Sequence, residues 1–120
     1  RTKESERLAV CLDTCHLFAA GYDLKNEQAY EDLLGKLAER IGLNRLAGIH
    51  LNDSLRPCGS RVDRHAHIGK GEIGRNTFRR MVNDPRLKGL PMILETPKEP
   101  DDRGRNMDKV NLATLRRMIR

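Results

Sequence analysis

The stretch Leu46-Ala47-Gly48-Ile49-His50-Leu51-Asn52-Asp53 decides how the rest of the chain is read. An apolar run this short, closed by polar residues, is the pattern of a strand buried on both faces of a parallel sheet. The same plan occurs upstream, where Leu8-Ala9-Val10-Cys11-Leu12 ends at Asp13, and downstream, where Leu90-Pro91-Met92-Ile93-Leu94 ends at Glu95. A helical pattern follows each run. Residues 26–41 carry Ala29, Leu33, Leu34, Leu37, Ala38 and Ile41 on one stripe, and Gly42 follows as a C′ glycine. Residues 77–82 predict a shorter helix stopped near Pro85. Residues 108–119 predict a last one, with Arg116, Arg117 and Arg120 suited to its C-terminal dipole.

The order is therefore β-α-β-α-β-α, an α/β chain of consecutive βα units with no interdomain linker. Three such units make a small open sheet or three-eighths of a (β/α)8 barrel, which needs about 250 residues. The 120 residues form one domain or a piece of one. With 38% hydrophobic residues the chain can build a core, which argues against wholesale disorder. Aromatics at 3% and the lack of Trp argue against a stacking platform for single strands. No apolar run is long enough for a membrane span. The net charge of +6 weakly favours a polyanionic partner. Cys11, Cys15 and Cys58 suggest free thiols in a reducing compartment, with Cys11 and Cys15 buried and inert. The chain opens on Arg1-Thr2 without Met, so the native N-terminus is expected to lie upstream.

Asp13, His50 and Glu95 stand at equivalent positions, where α/β folds place their ligand sites. Singly, each is an ordinary polar cap. Together, converging carboxylates repel and resist burial unless a divalent cation neutralises them, and mixed N/O donors suit zinc or manganese. His16 follows Asp13 by three residues, so a loop leaving the strand end aims both at one site. In an extended segment Asp63 and His65 face one side. His67 shares that side. Glycines 69, 71 and 74 permit close backbone approach, as a phosphate cradle or as a tight connection that positions His65. Arg56, Arg61, Arg64 and Lys70 flank these residues, which favours an anionic substrate over a merely solvated loop.

Cys11-Leu-Asp-Thr-Cys-His16, His50-Leu-Asn-Asp-Ser54, Gly59-Ser-Arg-Val-Asp-Arg-His65 with Ile68-Gly-x-Gly71, and Leu94-Glu-Thr-Pro97 together resemble the endonuclease IV family. These are zinc-dependent apurinic/apyrimidinic endonucleases on a TIM barrel of the xylose isomerase type. The resemblance implies that residues 1–120 are the C-terminal three βα units of such a domain. It also implies three zinc ions per complete domain. His16, Asp63 and His65 would complete one site, and Asp13, His50 and Glu95 would form part of a second. The family's bridging glutamate and two further histidines have no counterpart here, since Glu4 and Glu6 match no motif, and His67 falls where the family has no ligand.

The implied reaction hydrolyses the phosphodiester 5′ to an abasic site in duplex DNA and trims blocked 3′ ends. Zinc-lowered water pKa and charge neutralisation would drive it. Arg61 and Arg64 are the implied DNA contacts. A monomer when complete, with an intracellular location in cytoplasm, nucleoid or nucleus, also follows from the resemblance. Two other readings stay open: a metal-dependent sugar isomerase or epimerase of the same barrel type, and a non-catalytic chain that binds metal and DNA.

Overall fold

A computed structural model describes residues 10–120. Leu8 and Ala9 of the first apolar run, and Glu4 and Glu6, lie outside the described residues. The elements are β1 (Val10–Asp13), α1 (Thr14–Ala19), α2 (Glu27–Arg40), β2 (Leu46–His50), β3 (Asp53–Ser54), β4 (His65–Ala66), α3 (Arg75–Val82), β5 (Met92–Ile93) and α4 (Met107–Met118). Strands β1, β2 and β5 form a parallel sheet in that order, and β3 pairs with β4 as an antiparallel hairpin.

The helices end where the chain chemistry ends them. The Asn26 side chain accepts from Ala29 N–H at the start of α2, and the Asn106 side chain accepts from Lys109 N–H at the start of α4. After α2, Gly42 takes φ 93° and donates to the Leu37 carbonyl, which closes the helix in the left-handed conformation that glycine allows. Helix α2 buries Tyr30 and Leu34, α3 buries Phe78 and Met81, and α4 buries Leu115 and Met118. Their apolar faces meet Ile49 of the central strand in one core.

Register decides which strand residues share a face. Asp13 pairs with His50, and His50 pairs with Ile93. Residues opposite each other in a ladder point the same way, and so do residues two apart on one strand. Asp13, His50 and Ile93 therefore share one face, with Cys11 below Asp13. Leu12, Ile49 and Met92 lie on the other, toward the core. Ile93 is 48% exposed on the first face, which no described element covers. This corrects one expectation: Cys15 is buried, but Cys11 is exposed because it sits on that uncovered face.

A second network joins α2 to the turn after α3. Asp84 is buried and accepts from the Tyr30 hydroxyl at 2.7 Å and from Arg86, which also grips Glu31 through two bonds of 2.9 Å. Burial alone would raise the Asp84 pKa. The bonds from Arg86 and Tyr30 outweigh it and hold the carboxyl below its usual value. A depressed folded-state pKa adds stability that is present above the unfolded value and is lost as pH falls through the folded one. Asp84→Asn is expected to cost about 2 kcal/mol at neutral pH. That is less than the ~3–5 kcal/mol of a fully buried broken pair, because Arg86 keeps Glu31. Urea unfolding at pH 7 and pH 3 should show the gap between variant and parent narrowing in acid.

Candidate metal centre

The polar ends of the three parallel strands build the first group. One ligand atom each from Asp13, His50 and Glu95 lies within 4.8 Å of the other two. Asp13 and His50 are neighbours in the ladder. Glu95 stands two residues beyond Ile93, so it returns to the same face. His50 Nδ1 lies 2.7 Å from Glu95 Oε1. Helix α1 begins at once after Asp13, where a loop was expected, and the Asp13 side chain caps it by accepting from His16 N–H at 3.0 Å through Oδ1. The other oxygen, Oδ2, faces the cluster.

The second group gathers around Asp63. His65 Nε2 lies 3.4 Å from Asp63 Oδ1, and His16 Nδ1 lies 3.4 Å from Asp63 Oδ2. Residues 63 and 65 thus do turn to one side. His16 reaches the group from α1, with its ring largely exposed. The compact triplet of donor atoms is instead Cys15, Asp63 and His65. Cys15 is buried there, and burial pushes its thiol up to about 12. Its S–H donates to the Arg64 carbonyl at 3.3 Å. His16 borders the same group through its contact with Asp63.

The two groups touch. His65 Nε2 is 3.8 Å from Asp13 Oδ2, while His65 Nδ1–H donates to the Glu95 carbonyl at 2.7 Å. That bond commits Nδ1–H and leaves Nε2 facing two carboxylates, and an outer hydrogen bond of this kind is what orients a metal-binding histidine. His67 belongs to neither group. Its Nδ1 accepts from Asn111 Nδ2, and Asn111 also holds Ile68 N–H and the Thr96 hydroxyl. His67 is thus a tie between the loop and α4.

The glycine-rich segment wraps an internal anion and is no phosphate cradle. Asp53 is fully buried and accepts N–H bonds from Ser54, Gly69, Gly71, Ile73 and Gly74. A Cβ on Gly71 would stand 2.3 Å from the Ser54 carbonyl and 2.7 Å from Asp53 Oδ1, so only glycine fits. Sequence reasoning placed Asp53 and its neighbour Asn52 in the His50–Ser54 motif but gave them no role of their own. The signal was there: three glycines at close spacing needed a nearby backbone or carboxylate to approach.

Arg56, Arg61, Arg64 and Lys70 are exposed around the groups, and none forms a salt bridge among the described residues. Arg61 has φ 64°, held by its N–H bond to the Ala19 carbonyl, and with His16 and Asp63 it lines a cavity of about 200 Å³. A larger cavity of about 600 Å³ between α3 and the C-terminal residues is lined by none of the sequence-predicted site residues.

Parallel βα units with carboxylates and histidines gathered at the strand ends define a barrel-type α/β chain with candidate groups for a cation. The family described as "Xylose isomerase-like TIM barrel" matches residues 1–117. The chain is 53% identical over 114 residues to "Probable endonuclease 4" of Chloroflexus aurantiacus, covering 95% of this chain and 39% of that protein. It is 49% identical over 113 residues to the "Apurinic-apyrimidinic endonuclease" of Caenorhabditis elegans, covering 91% and 28%. The crystal structure of endonuclease IV from Thermus thermophilus matches with TM-score 0.78 at 45% identity, covering 92% of this chain and 38% of that one. The chain belongs to the endonuclease IV family of xylose isomerase-like TIM barrels. It spans about two-fifths of the length of most of these relatives.

Proposed function

We propose that residues 1–120 are the C-terminal three βα units of a zinc-dependent endonuclease that hydrolyses the phosphodiester 5′ to abasic sites in duplex DNA and trims blocked 3′ ends. The observation that carries this reading is His65, whose Nδ1–H is committed to the Glu95 carbonyl while its Nε2 faces Asp63 and Asp13. One histidine thereby joins two donor groups of mixed nitrogen and oxygen, the set that suits zinc. Asp13, His50 and Glu95 would hold one ion, and His16, Asp63 and His65 another. Zinc, when bound, polarises phosphate oxygens and lowers the pKa of water. The protein residues aim the carboxylates at one point. Arg61 and Arg64 would meet DNA phosphates at the rim.

A sugar isomerase of the same barrel type has no evident use for the second group beside a basic rim. Duplex DNA as substrate implies an intracellular place of work. No helix among the described residues is long and apolar enough to cross a membrane. We take the complete protein to be a monomer.

In the complete protein, chelation is expected to abolish cleavage of abasic duplex DNA, and zinc should restore it. Glu95→Gln should lower turnover by about 100-fold or more while DNA affinity moves by about threefold at most, since glutamine keeps the shape and removes the charge. Cleavage that persists after metal analysis shows an empty protein would sink the zinc mechanism. Equal losses of binding and turnover in Glu95→Gln would make Glu95 a contact or fold residue.

A further inference from the structure

We infer that Asn52 is the positioning residue that couples the two metal-binding groups; the inference rests on the metal centre proposed above. Asn52 is fully buried, so it touches no substrate. It lies just past the end of β2, and its main chain is clamped on both sides by one hydroxyl. Thr14 Oγ1 accepts from Asn52 N–H at 2.9 Å and donates to the Asn52 carbonyl at 2.7 Å. The side chain is then spent on the two ligands flanking His50. Its Oδ1 accepts from Glu95 N–H at 2.8 Å, and because that face must accept, its Nδ2 is turned toward Asp13 Oδ2 at 3.4 Å.

The consequences run through both groups. The Asp13 carboxylate is fixed at one oxygen by the His16 N–H of α1 and at the other by the Asn52 amide. The Glu95 backbone is fixed by Asn52 at its N–H, and its carbonyl in turn holds His65 Nδ1–H. Asn52 therefore sets Asp13 and Glu95 directly, and sets the His65 ring through one peptide unit. Partners of this kind that orient a ligand alter metal affinity by about 10–100-fold when removed.

The test is a zinc titration of the 120-residue chain, read at the ring nitrogens of its four histidines by NMR. Zinc should shift His50 and His65 in the parent, with His67 unmoved as an internal reference. Asn52→Ala should raise the zinc concentration for half-shift at least tenfold at both rings. Thr14→Val removes the hydroxyl clamp but keeps the amide. It should lower the melting temperature while leaving both half-points within about threefold of the parent.

If Asn52→Ala does not fold, Asn52→Asp decides. It keeps volume and the acceptor for Glu95 N–H but loses the donor to Asp13. His65 should then respond as in the parent while His50 departs from it by at least threefold. Parent-like half-points at both rings in either folded Asn52 variant, or equal zinc losses in Thr14→Val and Asn52→Ala, would overturn the role of Asn52 and leave the metal centre standing. Zinc that shifts none of the four rings in the parent would overturn the metal centre and this inference together.

Discussion

Asp53→Asn is expected to destabilise the chain by about 4 kcal/mol or more, a large part of the stability of an ordinary domain. The two carboxylate oxygens of Asp53 share five backbone N–H donors, four of them from residues 69–74. A carboxylate is acceptor-only, so every donor finds a lone pair. Asparagine replaces one oxygen by an NH2 group that points at donors. At least two bonds to a charged acceptor, each worth ~1.5–3 kcal/mol, become donor–donor contacts in a site without water access. Typical domains have only ~5–15 kcal/mol in total.

The loss also travels to the site. Asp53 pairs with Ala66 and Ser54 pairs with His65, so the loop that Asp53 organises carries the hairpin that presents His65. Urea unfolding followed by circular dichroism measures the effect. A variant within 1 kcal/mol of the parent would mean that the five contacts are dispensable.

The site was partly legible in the sequence because it follows strand ends. Asp13, His50 and Glu95 each close an apolar run, and ladder register then forces them onto one face. Asp63 and His65 were legible from their two-residue spacing. The helix spans were legible because caps and periodicity agree, as at Asn26 and Gly42.

What escaped the sequence depends on long-range bonding. Helix α1 is six residues long and begins with Thr14-Cys15-His16, too short and polar for a periodic signal. The hairpin strands β3 and β4 have two residues each, and what holds them is the buried Asp53 carboxylate and not a hydrophobic alternation. Strand β5 is only Met92–Ile93, preceded by Pro91, which accepts from Ile49 N–H but has no N–H of its own to give the ladder. Asn111 gave no local pattern at all, and Asn52, though inside the His50–Ser54 motif, gave no sign of its bonding role. Their importance is a matter of which distant backbone groups need partners, and only the folded chain supplies that list.

The 120-residue chain on its own is expected to bind zinc and to leave abasic DNA uncut. The binding half of this expectation stands on the donor groups. His16, Asp63 and His65 come from adjacent elements, so that group lies whole within the 120 residues, while Asp13, His50 and Glu95, from three strands of one sheet, supply part of the second. Metal binding and folding are coupled, so zinc should also raise resistance to proteolysis.

The inactive half stands on what three strands cannot do. Strands β1 and β5 are the outer strands of the described sheet, and Ile93 is 48% exposed on the face that would line a closed barrel. A (β/α)8 barrel encloses its site with eight loops, and by family resemblance a bridging glutamate and two further histidines belong to the others. Without them the neutralisation of phosphate charge is incomplete. The loss of a single well-placed electrostatic stabiliser already costs about 10²–10³ in rate. Turnover by the 120 residues should therefore fall at least ~10³-fold below that of the complete protein. Equilibrium dialysis with metal analysis reads the first half, and cleavage of an abasic duplex reads the second. A His65→Ala preparation serves as the control for contaminating nuclease. Turnover close to that of the complete protein, abolished in His65→Ala, would show that the three βα units carry the chemistry alone, and the incomplete-site reading would fall.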